Sequence, residues 1–186
     1  MKKLFIVCML FMVASEAFSQ SIEVTTKGIV DASNKENSYI VMELPGKGSN
    51  EIYQNCINYV NVNYKFPEKV IRGKVDNQFL SFNTFTDKIP FKNGFTPIYF
   101  KMEYRTEITI KDGKAKIEFT NIDIKNDASY PMAFSGRGMS FYIYHETKGL
   151  KQEGTKDFLE EYFNSKISSI SEAIQNGSIS SVDLDF

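Results

Sequence analysis

His145, the single histidine of the chain, and Cys56 are the residues from which a nucleophile and its base could be assembled. Such a dyad needs a thiolate held exposed in electropositive surroundings. Cys56 instead stands four residues after Ile52 and four before Val60, on an apolar helical stripe where a thiol behaves as a small buried hydrophobe. His145-Glu146 ends an apolar strand pattern and reads as a solvent-facing pair. A lone histidine cannot complete a His-rich zinc site, and no Gly-x-Ser-x-Gly elbow is present. No catalytic residue, metal ligand or cofactor-binding residue is therefore assigned.

Two other patterns have the outline of a site without its chemistry. Pro45-Gly46-Lys47-Gly48-Ser49 falls between a strand and a helix, where phosphate loops sit. A P-loop needs a second glycine five residues before its Gly-Lys pair and Ser or Thr directly after the lysine; Val41 and Gly48 stand there instead. The segment reads as a turn followed by a helix cap. Glu107 and Glu118 pair across a hairpin, but on an open, solvated face with Arg105 and Lys116 diagonally beside them. Catalytic carboxylates need a cleft that pushes their two pKa values apart.

Candidate partner-binding residues come from the segment Tyr130 to Gly149. Gly136-Arg137-Gly138 lies beside Met132, Phe134, Phe141, Tyr142 and Tyr144. Flexible glycines, an arginine and several aromatics are the residue types of interface anchors. Arg137, Phe141, Tyr142 and Tyr144 are the residues expected to meet a partner. The same composition equally describes a loop folded onto its own core.

The elements that position these residues are legible from periodicity. Ser38 to Leu44 is a strand with Ile40, Met42 and Leu44 inward. A helix from Asn50 to Tyr64 follows, capped by Gly48 or Ser49 and stopped before Pro67. From Phe100, even positions are apolar through Ile110 apart from Thr106, and odd positions are polar or charged. Asp112-Gly113 is a two-residue hairpin turn that sets Ile110 against Ala115, Ile108 against Ile117 and Thr106 against Phe119. The apolar parity then shifts at Ile122, which predicts a bulge near Thr120-Asn121.

Val70 to Gly73 and Gln78 to Phe85 read as strands around an Asp76-Asn77 turn, and Ser140 to Glu146 as a short strand. Thr155 to Asn176 is a second helix whose buried stripe includes Leu159, Phe163, Ile167 and Ile170, with Gly177 as its C′ residue. The order predicts an α+β fold, an antiparallel sheet with two helices packed on one face.

The chain's beginning says where it works. Lys2 and Lys3, the apolar run Leu4 to Val13, and Ala17-Phe18-Ser19 form a secretory signal peptide cleaved before Gln20. The run is about half the ~20 residues of a membrane span, so stable membrane insertion is not expected. Cleavage leaves 167 residues for a single α+β domain, residues 20–186, with a net charge of −2. That balance offers nothing to phosphate backbones, so nucleic acid is not an expected partner. Cys8 leaves with the signal and Cys56 has no disulfide partner. Val182, Leu184 and Phe186 alternate towards a C-terminal aromatic, as in outer-membrane barrels. The long helix before them leaves too few strands for one.

The succession YIVMELPGKGSNEIYQNCINYV, EKVIRGKVDNQ and YRTEITIKDGKAKIEFTNIDI resembles an exported bacterial family of domains of unknown function with a TBP-like fold. Its marks here are Leu44-Pro45-Gly46, the helix from Glu51 to Val60, Asp112-Gly113 and Phe119-Thr120-Asn121, over residues 39–125. The resemblance implies the β-α-β(n)-α fold and residence in a Gram-negative envelope, periplasmic or extracellular, and implies no activity. The expected function is that of a soluble, non-catalytic envelope domain binding a ligand, glycan or protein partner. The alternative is an enzyme of unrecognised mechanism, a hydrolase among the options.

Overall fold

The computed structural model describes residues 21–138 and 140–177. The expected signal peptide, the C-terminal alternation and Met139 lie outside the described residues. Strands β1 (Ile22–Thr25) and β2 (Gly28–Asp31) make a short hairpin, followed by β3 (Tyr39–Glu43) and helix α1 (Ser49–Asn63). A four-residue helix, α2 (Pro67–Val70), leads into β4 (Ile71–Val75), β5 (Phe79–Asn93), β6 (Thr96–Lys111) and β7 (Lys114–Asn126). Then come β8 (Met132–Gly136), β9 (Phe141–His145), β10 (Gly149–Leu150) and helix α3 (Glu153–Asn176).

The main sheet has five antiparallel strands in the order β3-β7-β6-β5-β4. Its register is the one the Asp-Gly turn dictates: Ile110 faces Ala115, Ile108 faces Ile117 and Thr106 faces Phe119. On the inward face Phe100, Met102, Tyr104, Thr106, Ile108 and Ile110 are all buried. α1 and α3 cover that face side by side. Tyr104 meets Phe163 edge-on at 5.1 Å, and Tyr59 and Tyr64 of α1 and its C-cap close on Phe82 at 6.2 and 5.5 Å. These large side chains supply most of the non-directional burial that holds helices to sheet.

β6 keeps its parity from end to end while both neighbours are interrupted. In β7 the register breaks opposite Tyr104, where Asn121 takes a positive φ of 51°. This is the bulge the parity shift predicts, and it returns Ile124 to the core. In β5 the break falls after Thr86, with Lys88 at φ 62°. Buried positions consequently move from Leu80, Phe82 and Thr84 to Ile89 and Phe91. That second bulge lengthens β5 beyond the expected end at Phe85. An aperiodic segment of sequence cannot display a strand whose inward face changes parity halfway.

Three further features depart from the sequence expectation. α2 is too short for helical periodicity to register. The β1–β2 hairpin precedes the first expected strand. Its outer edge is satisfied by side chains of α3: Ile22 N–H donates to Asn164 Oδ1 and Val24 N–H to Glu160 Oε1, both at 2.8 Å. β8 was unforeseen, and it pairs with β9 in parallel within a second sheet of order β10-β9-β8. Parallel neighbours ordinarily need a crossover of about a dozen residues or more, far more than separates Gly136 from Phe141.

Candidate functional site

The segment carrying Arg137, Phe141, Tyr142 and Tyr144 does not gather them on one surface. Phe141 packs edge-on against Phe91 and Phe100, each at 5.2 Å. Tyr142 is 2% exposed; its hydroxyl accepts from Lys151 Nζ at 3.2 Å, and a Cβ on Gly136 would come within 3.0 Å of its ring. Tyr144 donates to the carbonyl of Val24 at 2.6 Å and so ties β9 to the N-terminal hairpin. Arg137 alone of the four faces solvent, 3.8 Å from the carboxylate of Glu146. The rings serve packing, because burying an aromatic side chain is worth more than presenting it to water.

The other candidates fall where their chemistry suggests. Cys56 is wholly buried, and burial pushes its thiol up to about 12. His145 Nδ1 accepts the backbone N–H of Thr147, two residues away. Glu107 and Glu118 do oppose each other. Glu118 accepts from Ser38 Oγ at 2.7 Å and Lys116 Nζ at 3.1 Å, while Glu107 accepts from Thr120 Oγ1 at 3.0 Å. Partial burial works to raise the Glu118 carboxyl, but those two donors outweigh it and hold it below its ordinary range. Arg105, diagonal to this pair, donates to Asn83 Oδ1 at 3.3 Å. Lys47 pairs with Glu51 one helical turn away, so the Gly-rich loop acts as a helix start.

The most strongly functional lining belongs to a cleft that the sequence does not announce. β4 reaches only as far as Phe82 along β5. Past that point the edge of β5, the C-terminal end of α1 and the middle of α3 surround a cleft of about 520 Å³. This lies within the ordinary range of ligand pockets, roughly 300–1,000 Å³. Tyr59, Asn63 and Tyr64 come from the α1 side, Asn83 to Phe85 from β5, and Ser165, Lys166 and Ser169 from α3. Arg72 and Glu103 stand at the rim.

Lys166 is the unusual member. It is half-buried, its Nζ lies 5.6 Å from the centroid of the Tyr162 ring, and no carboxylate pairs with it among the described residues. Burial lowers its pKa, since an ammonium loses hydration there without a compensating charge. Hydroxyls of Tyr59, Tyr64, Thr84, Ser165 and Ser169 line the same cleft, backed by those of Tyr104 and Tyr162. Tyr64 and Thr84 share a hydrogen bond of 2.6 Å, and the Tyr104 and Tyr162 hydroxyls one of 3.0 Å. Burial raises the phenols of Tyr59, Tyr64, Tyr104 and Tyr162, so they stay protonated and act as neutral donors and acceptors. The signal in sequence was Lys166 itself, a lysine one position before Ile167 on a helix with a wide apolar stripe. Nothing local says that β5 is uncovered opposite it.

No helix among the described residues is long and apolar enough to cross a membrane, and no group of three or more His, Cys, Asp or Glu among them could hold a metal ion. No curated protein matches the chain. Residues 39–125 match the domain of unknown function (DUF4468) with TBP-like fold. A DUF4468 family protein from Bacteroides ovatus ATCC 8483 superposes with a TM-score of 0.54 at 12% identity, over 78% of this chain and 88% of that one. A TBP-like protein from Parabacteroides distasonis ATCC 8503 gives 0.51 at 13% identity, over 74% and 91%. At such identities the likeness is one of fold. The strand, helix and long Asp-Gly hairpin of residues 39–125 are thus the part of the chain that matches the DUF4468 model, and the chain has a TBP-like α+β fold.

Proposed function

We propose that this chain is an exported module of the cell envelope that captures a small polar ligand in the cleft between α1, α3 and β5, without catalysing a reaction. The observation that carries this reading is Lys166, a half-buried ammonium with no acidic partner among the described residues. Leaving a charge partly desolvated costs stability unless something compensates it. A ligand anion supplies that compensation. Around it the cleft offers amides, serines and tyrosine hydroxyls, groups that orient a ligand. Among the described residues Glu103 lines the cleft without a second carboxylate beside it to divide acid and base roles.

Export is supported by the Lys2-Lys3 start, the short apolar run and the Ala17-x-Ser19 pattern. Cleavage after Ser19 leaves β1, which opens at Ile22, intact. N-terminal sequencing of secreted material is expected to begin at Gln20; a chain retained in the membrane fraction and beginning at Met1 would refute export. Backbone amide spectra recorded with acetate and neutral monosaccharides test the cleft. Shifts are expected at residues 59–64, 83–85 and 165–169. Shifts clustered elsewhere would move the site.

A further inference from the structure

We propose that the cleft's ligand is an acidic sugar, a uronic acid or a glycan ending in one, whose carboxylate sits on Lys166 and whose ring face lies on Phe85. This deepens the cleft reading above and rests on it. Phe85 is 56% exposed and stands at the mouth of the cleft, on the stretch of β5 that β4 leaves uncovered. A bare ring beside polar groups suits a partner with one apolar face and hydroxyls on its edges, which is how a pyranose is built.

The two amides in the cleft are set for hydroxyls. Asn63 Nδ2 donates to the Tyr59 carbonyl at 2.9 Å, and Asn83 Oδ1 accepts from Arg105 Nε. One end of each amide is held in this way, which leaves Asn63 Oδ1 as an acceptor and Asn83 Nδ2 as a donor for a ligand. Lys166 and the rim residue Arg72 supply positive charge for one carboxylate.

The same arrangement disfavours a phosphate. Phosphate sites use arrays of N–H groups at helix N-termini. α1 meets this cleft with its other end, at Asn63 and Tyr64, where carbonyl oxygens and the negative end of the helix dipole face outward. Those oxygens accept from sugar hydroxyls and repel a dianion. Glu103 at the rim adds to the repulsion.

Titration calorimetry and amide spectra with glucuronate, galacturonate, glucose, inorganic phosphate and adenosine monophosphate provide the test. The uronates are expected to bind more tightly than glucose and to shift Asn83, Phe85 and Lys166. Lys166→Met should weaken uronate binding by about tenfold or more and abolish the preference for uronate over glucose, whereas Lys166→Arg should keep the preference for the acid. Phe85→Ala, an exposed site whose loss leaves the fold intact, should weaken both sugars alike. Tighter binding of phosphate or adenosine monophosphate, equal affinity for glucuronate and glucose, or no uronate binding at millimolar concentration would each overturn the proposal. If acetate still shifts the cleft residues while uronates do not, only the sugar assignment falls. Shifts from every probe lying outside the cleft would remove the cleft reading with it.

Discussion

Asp112 Oδ1 accepts the backbone N–H of Ser49 at 2.7 Å, so the turn of the long hairpin caps a helix 63 residues away in sequence. Gly48 occupies the N-cap and has no side chain to do this. The same turn is stitched to the loop before α1 by two backbone bonds, Leu44 N–H to Gly113 C=O at 2.7 Å and Gly113 N–H to Lys47 C=O at 2.8 Å. One Asp-Gly pair thereby sets the hairpin register and seats α1 on the sheet.

Asp112→Ala should lower the melting temperature at neutral pH. The Ser49 backbone N–H, and after it the Ser49 side chain, hold the Asp112 carboxyl below its ordinary value. Because the folded-state pKa is depressed, the contribution is present above the unfolded-state pKa and lost as pH falls through the folded one. The gap between wild type and Asp112→Ala should therefore close below the usual carboxylate range of about pH 4. A gap that stays constant in acid would show that the cap does not depend on the charge.

Cys56 should be inert in the native protein. Its side chain is fully buried and its thiol is pushed up to about 12, so almost no thiolate exists at neutral pH. A thiol reagent should label it only in denaturant; labelling at the same rate under native conditions would contradict this. Cys56→Ala should cost about 1 kcal/mol, as small core truncations do.

The two faces of β6 should differ sharply in sensitivity. Ile108 is fully buried opposite Ile117, and Ile108→Ala should destabilise by about 2–5 kcal/mol. Glu107 lies on the solvated face with Thr120 as its partner, and Glu107→Gln should change stability by less than about 0.5 kcal/mol. Denaturant titration of both variants checks the assignment of faces.

Arg137→Ala and Tyr142→Ala should separate contact from packing. Arg137 is exposed and its change should leave stability within about 0.5 kcal/mol. Tyr142, 2% exposed, should cost about 3–5 kcal/mol, as other buried aromatic truncations do. Capture of a partner lost in stably folded Arg137→Ala would place a contact surface at Arg137 in addition to the cleft. Equal stability of the two variants would show that the Tyr142 ring is not a core element.

The parts of this fold that are legible in the residues alone are those governed by neighbours along the chain. The period-2 alternation of β6, the Asp112-Gly113 turn, the bulge signalled at Ile122 and the apolar stripes of α1 and α3 are all local patterns. The burial of Cys56 follows from its place on such a stripe. The tertiary structure decided whatever depends on distant side chains meeting. Ile22 on Asn164, Ser49 on Asp112 and the cleft that Lys166 and Asn83 both line at an uncovered strand edge have no local signature. The aromatic segment around Tyr142 shows the boundary. Its composition suits an interface and a core equally, because both bury rings, and only the packing of Phe141 on Phe91 and Phe100 turned those rings inward.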